Sequence, residues 1–179
     1  MPAIKDYLKY YWLENYLFGE VSGNFQKDGY LSDEDFFAIV IWKRNASKTK
    51  IKMGIKNSGK TIKEITFEIS RTVNIEQKLE ILTSISGIGI SIASAILTVL
   101  YPTQFTIADY RAGNSLRNKF DGENIPSKIS DSKNYFLYLE VCKKLAEKNN
   151  LSLRDFDRAI WGMDFYEGKS GLKDLARSL

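Results

Sequence analysis

Apolar residues recur along this chain at steps of three and four, the spacing that stacks side chains on one face of a helix. Ile4, Tyr7, Leu8, Tyr11, Trp12 and Tyr16 form such a stripe at the start. Ser32 followed by Asp35 has the form of an N-cap with an acidic partner, opening the helix DFFAIVIWKR. That helix is apolar almost all round from Phe36 to Trp42, which predicts a central position. The segment from Ala46 to Lys56 is ambiguous. Ile51, Met53 and Ile55 alternate with Lys50, Lys52 and Lys56 as in a strand, yet a basic helix fits equally, and the helical surroundings favour it. Asn57-Ser58-Gly59 then breaks the chain.

A helix resumes from Lys60 to Arg71 with Ile62, Ile65, Phe67 and Ile69. Asn74 caps IEQKLEILTSI, in which Ile75, Leu79 and Leu82 share a face and Gln77 stands at the capping-box position. Another helix runs from about Ser91 to Leu100, ending before Pro102. One begins near Asp109, and a loop with Gly122 and Pro126 follows. Residues 131–149 form a long amphipathic helix with Tyr135, Leu139, Cys142 and Leu145 on one side. Ser152 with Asp155 opens LRDFDRAIWGMDF. Within it, Arg154, Asp155, Asp157 and Arg158 form an alternating-charge patch expected to be a solvated face. The pattern predicts an all-α, multi-helix globule of about eight to ten helices in a single domain spanning 1–179.

Composition narrows the chemistry. The chain has 179 residues and no histidine, which removes imidazole acid–base chemistry and histidine–metal sites. A single cysteine, Cys142, excludes a disulfide framework and four-cysteine zinc or iron–sulfur sites. No metal and no cofactor are expected. No apolar run reaches the ~18 residues of a membrane span, and MPAIKDYLKYYW carries charge where a signal peptide is apolar. A cytoplasmic protein without membrane association is the expectation. The net charge is only +4, but its distribution is uneven. Between Phe36 and Lys63 there is no acidic residue, while Lys43, Arg44, Lys48, Lys50, Lys52, Lys56, Lys60 and Lys63 contribute eight positive charges. Such segregation is the footprint of a polyanion-binding face, or of a solvated surface that binds nothing in particular.

The most informative stretch is Ile85-Ser86-Gly87-Ile88-Gly89. Glycine admits positive φ and close backbone approach. The helix that follows starts with amide groups lacking intrahelical partners, at the positive end of its dipole. The amides of Gly87, Gly89 and Ile90 can therefore cradle a phosphate oxygen, with Ile88 pointing inward as an anchor. Ala93, Ser94 and Ala95 make the second helix thin. The alternative is an ordinary helical hairpin with a glycine turn.

This stretch resembles the helix-hairpin-helix motif of DNA-binding proteins, which reads Leu-Pro-Gly-Ile-Gly before an alanine-rich helix. Ser86 stands where proline is usual. The likeness extends to helix-hairpin-helix DNA glycosylases, where an aspartate opens the next helix after a short loop. Here that is Asp109, in Phe105-Thr106-Ile107-Ala108-Asp109-Tyr110-Arg111. The resemblance covers residues 74–120, with the N- and C-terminal helices expected to pack around that core. It implies a DNA-glycosylase-like fold, double-stranded DNA as partner and base-excision repair as activity. Gly87, Ile88, Gly89, Ile90, Ser91, Lys43, Arg44, Lys48, Lys50 and Arg111 are the DNA-binding candidates. Asp109 is the catalytic candidate, stabilising the oxocarbenium character of the sugar as an N-glycosidic bond breaks; the alternative roles are a helix cap or an ion pair with Arg111 or Arg117. Bifunctional members carry a lysine just after the glycines. Ser91 holds that position and cannot form an imine, so a monofunctional glycosylase is expected. An extruded base needs an aromatic pocket, for which Trp42, Tyr101, Tyr110 and Trp161 are the candidates. A non-catalytic DNA-binding module on the same scaffold is the alternative.

Overall fold

The computed structural model describes residues 12–120, 124–169 and 171–177. The stripe from Ile4 to Tyr11 and the loop position Gly122 lie outside the described residues. Among the described residues every regular element is helical, with no strand, and none of these helices is long and apolar enough to cross a membrane. The chain divides into two compact units, Met1–Tyr101 and Pro102–Leu179.

In the first unit, α1 runs continuously through Leu13–Tyr16, a π-helical turn at Leu17–Val21, and Ser22–Asp28. Leu17, Val21 and Phe25 are its buried face. Helix α2, Asp33–Arg44, starts where Ser32 Oγ accepts the Asp35 amide at 3.1 Å. Phe36, Ile39 and Val40 are buried, but Ile41 is 43% exposed. The predicted central position is therefore corrected: α2 packs on one side and opens to solvent on the other. The central helix is instead α6, Ile90–Leu100, in which every residue from Ile92 to Leu100 is buried.

After a 3-10 turn at Asn45–Ser47, the ambiguous basic segment is helical: α3, Lys48–Ser58. A four-residue step decides it. Ile51 and Ile55 share the buried face with Gly54, while Met53, which a strand would have placed beside them, is 52% exposed. Helix α4, Ile62–Arg71, opens with a capping box between Thr61 and Glu64 and turns Phe67 outward. The Thr61 hydrogen bonds hold the Glu64 carboxyl below its usual range. Helix α5, Ile75–Thr83, begins at Asn74, whose Oδ1 accepts the Glu76 and Gln77 amides. Lys78 is buried on α5. Its ammonium donates to the Ile69 carbonyl at 2.7 Å and to the Tyr101 hydroxyl at 3.0 Å, satisfying a donor that would otherwise be costly to bury. Desolvation still pulls its pKa below the usual lysine value.

The second unit comprises α7, Tyr110–Lys119; α8, Ser132–Lys148; α9, Leu153–Glu167; and α10, Leu172–Arg177. Asp131 and Ser152 cap α8 and α9. The loop before α7 is buried from Phe105 to Ala108. A buried loop must satisfy its carbonyls, and two tyrosines of α8 do so. Tyr135 donates to the Thr106 carbonyl at 2.9 Å, and Tyr138 to that of Ile107 at 3.1 Å. Burial pushes both phenols and the Cys142 thiol beside them well above their usual values. The charged patch on α9 also needs correction. Asp155 and Arg158 form an exposed pair at 3.0 Å, but Asp157 is 3% exposed and paired with Arg154. The helical repeat turns Asp157 to the same side as Leu153, Phe156 and Ile160, so only half of the patch is a solvated face.

Candidate functional site: the groove at the glycine bend

Between α5 and α6 the chain reverses in a tight turn. The Ile85 amide donates to the Leu82 carbonyl at 3.1 Å, and the Ile88 amide to that of Ile85 at 3.0 Å. Gly87 has φ +95, a conformation that costs an L side chain about 1–2 kcal/mol. Space excludes a side chain there as well, because an added Cβ would lie 3.0 Å from Lys50 Cγ and 3.1 Å from the Ile51 amide nitrogen. Ile85, Ile88 and Ile90 are buried, so three isoleucines pin the turn from beneath.

The bend rests on α3. The Ser86 carbonyl oxygen sits where a Cβ on Gly54 would be, at 1.9 Å. Gly54 is thus part of the site and was not among the residues singled out from sequence. Its signal was available: a glycine inside a helix weakens it by about 1 kcal/mol relative to alanine and calls for a packing reason.

Gly89 is extended (φ −93, ψ 176) and is the N-cap of α6. Its carbonyl receives the Ile92 and Ala93 amides at 3.0 and 2.9 Å. The Ile88 amide is engaged by Ile85, but the amides of Gly87, Gly89, Ile90 and Ser91 meet no acceptor among the described residues. They adjoin a groove of about 370 Å³ lined by Arg44, Ala46, Ser47, Lys50, Gly87, Gly89, Ser91 and Ile92. Two cations and two serines border it, and no carboxylate does. Donor amides at a helix N-terminus beside an arginine and a lysine have the chemistry to hold an anionic oxygen.

Five of the residues expected to contact DNA therefore come together: Arg44, Lys50, Gly87, Gly89 and Ser91. Ile88 and Ile90 bury their side chains, and Ile90 offers only its amide. Lys48 faces away. It lines a second groove, and its ammonium donates to Asn45 Oδ1 at 2.7 Å. Lys43 lines neither groove.

Arg111 belongs to the second unit. Its guanidinium pairs with Asp164 at 3.0 Å and lies 5.9 Å from the Trp161 ring and 5.7 Å from that of Phe165. Trp161 and Phe165 stack at 5.3 Å, and Tyr110 is 78% exposed. Of the other proposed pocket aromatics, Trp42 meets Phe18 edge-on and Tyr101 meets Phe25 likewise. Each is engaged with a partner ring in the first unit.

Asp109 is the N-cap of α7. Its Oδ1 accepts the Arg111 amide at 2.9 Å, and the residue is half-buried. The buried loop clamped by Tyr135 and Tyr138 fixes where this cap stands. Arg117 is directed elsewhere, to the Pro126 carbonyl and Asn114. Among the described residues no group of three or more acidic or cysteine side chains is arranged to hold a metal ion.

No family model matches the chain, and no curated protein and no solved structure matches it either.

Proposed function

We propose that this chain binds the phosphate backbone of double-stranded DNA at the glycine bend, in the manner of a helix-hairpin-helix protein, and that it acts as a monofunctional DNA N-glycosylase. The observation that carries the binding is the set of acceptor-less amides at residues 87–91 beside Arg44 and Lys50, in a groove without carboxylates. The amides hold one phosphate oxygen and the two cations its neighbours. Asp109 supplies the carboxylate that stabilises a sugar developing positive charge as the base departs. Ser91, at the lysine position of the bifunctional enzymes, leaves no amine there for a lyase step.

A second reading, a DNA-binding module without chemistry, is favoured by one observation: Asp109 already serves as the cap of α7. Excision assays separate the two. Duplexes carrying uracil, oxidised or alkylated bases are incubated with the protein and then treated with alkali. The glycosylase yields strand breaks that Asp109→Asn, which keeps a capping side chain, abolishes. Binding without breaks leaves the module. Roughly six phosphate contacts give a log–log salt slope near −5, and Lys50→Ala reduces it by about 1. A protein that does not bind duplex at low salt refutes both readings.

A further inference from the structure

The lysines of α3 point two ways. Lys50 borders the bend groove, whereas Lys48 and Lys52, with Thr49, border a second groove of about 610 Å³ on the outer face of α2. Its α2 side is lined by Asp33, Glu34, Phe37 and the exposed Ile41. Asp33, Phe37 and Ile41 follow one another at four-residue steps, so they lie along one face of α2.

Four features restrict what can cover this groove. First, Ile41 exposes substantial apolar surface. Second, Asp33, Glu34 and Lys52 make no ion pair among the described residues, although both signs border one groove. Third, the two carboxylates repel a phosphate backbone, so a nucleic acid is a poor occupant. Fourth, the signs are sorted by wall, acids on α2 and lysines on α3. A fitting partner presents an apolar strip with the same two signs in exchanged positions.

We infer that the occupant is a second copy of this chain, docked about a two-fold axis so that Asp33 and Glu34 of each protomer face Lys48 and Lys52 of its partner, with Phe37 and Ile41 between them. A two-fold interface brings one patch against itself with its ends exchanged. A patch bearing opposite charges on its two walls is complementary to itself in that arrangement. Phe37 and Ile41 supply the dry centre and the four charged residues the rim, the usual anatomy of such contacts. The inference is independent of the reading of the bend, because Lys50 and the bend groove take no part in the contact. The pair would carry two bend grooves.

The test is molar mass by light scattering and sedimentation over a wide concentration range, with helicity checked by circular dichroism. The wild type is expected at twice the 20.5 kDa of the chain at the high end, dissociating on dilution. Asp33→Lys with Glu34→Lys, and separately Lys48→Glu with Lys52→Glu, are each expected to be folded and monomeric. An equimolar mixture of the two doubly substituted chains is expected to recover the dimer mass, since every wall then meets its opposite. A wild type that stays at the mass of one chain at all concentrations overturns the inference, whether or not the variants fold. So does a dimer that survives either charge reversal. So does a monomer whose DNA affinity rises with Asp33→Lys and Glu34→Lys and falls with Lys48→Glu and Lys52→Glu, because nucleic acid is then the occupant.

Discussion

Gly89→Asp separates stability from binding at the bend in a single substitution. Gly89 is exposed and extended, and an added Cβ meets nothing within 4 Å. The backbone therefore accepts aspartate without strain. Aspartate is also a better N-cap than glycine by a few tenths of a kcal/mol, because its carboxylate accepts an amide in the first turn of α6. The fold is thus unharmed or slightly firmer. That same carboxylate occupies donors assigned to the phosphate and places a negative charge about 4 Å from it. Two such charges repel by about 1 kcal/mol in water and about 4 kcal/mol at the effective dielectric of a protein surface. In an open groove the lower half of this range applies, so duplex affinity is expected to fall roughly 5- to 70-fold. Fluorescence anisotropy with a labelled duplex at several salt concentrations reads both the loss and a salt slope shallower by about 1. Gly89→Asn, which caps without charge, is expected to lose less, and Gly89→Ala less still. Wild-type affinity and slope in Gly89→Asp, with the urea midpoint unchanged, would refute the assignment of these amides to a phosphate.

Gly54→Ala forces a methyl group into the Ser86 carbonyl; backbone against backbone cannot yield cheaply, and the urea midpoint is expected to drop by the equivalent of about 1–3 kcal/mol, with a loss below 0.5 kcal/mol disproving the close contact. Lys78 gives a pH signature. Its folded pKa lies below the unfolded value of 10.5, so burial of the ammonium opposes folding at lower pH, and that penalty is relieved as pH rises from the lowered value towards 10.5. The stability of wild type relative to Lys78→Met, from denaturant titrations between pH 7 and 10, is expected to increase with pH, and a flat difference would contradict the burial argument. Burial raises the Tyr101 phenol, which gives the opposite slope as pH nears 10, but both proteins carry that residue and its contribution drops out of the difference.

The helix starts were readable because a cap is a local device. Ser32, Asn74 and Ser152 each bond an amide two or three residues ahead, and nothing distant can alter that spacing. The helicity of α3 was open because a few apolar residues alternating with lysines satisfy two periods at once. Which side of a helix is covered is set by neighbours remote in sequence, so Ile41, Phe67 and Asp157 were harder to assign than the helices carrying them. The bend was legible through its two glycines, but the surface it rests on was not. Gly54 acquires meaning only when Ser86 arrives from a distant part of the chain. Likewise, the acid-free run from Phe36 to Lys63 is one block in sequence, yet helix geometry deals Lys50 to one groove and Lys48 and Lys52 to another.

The seating of Ser86 on Gly54 has a mechanical corollary. With no side chain as a cushion between them, the turn cannot rock without dragging α3 along. On the proposed reading, a phosphate would therefore find its donors already aimed, and little ordering entropy would be lost on contact. Any mutation that pries these two backbones apart should loosen anion capture even if every amide and cation of the groove is retained.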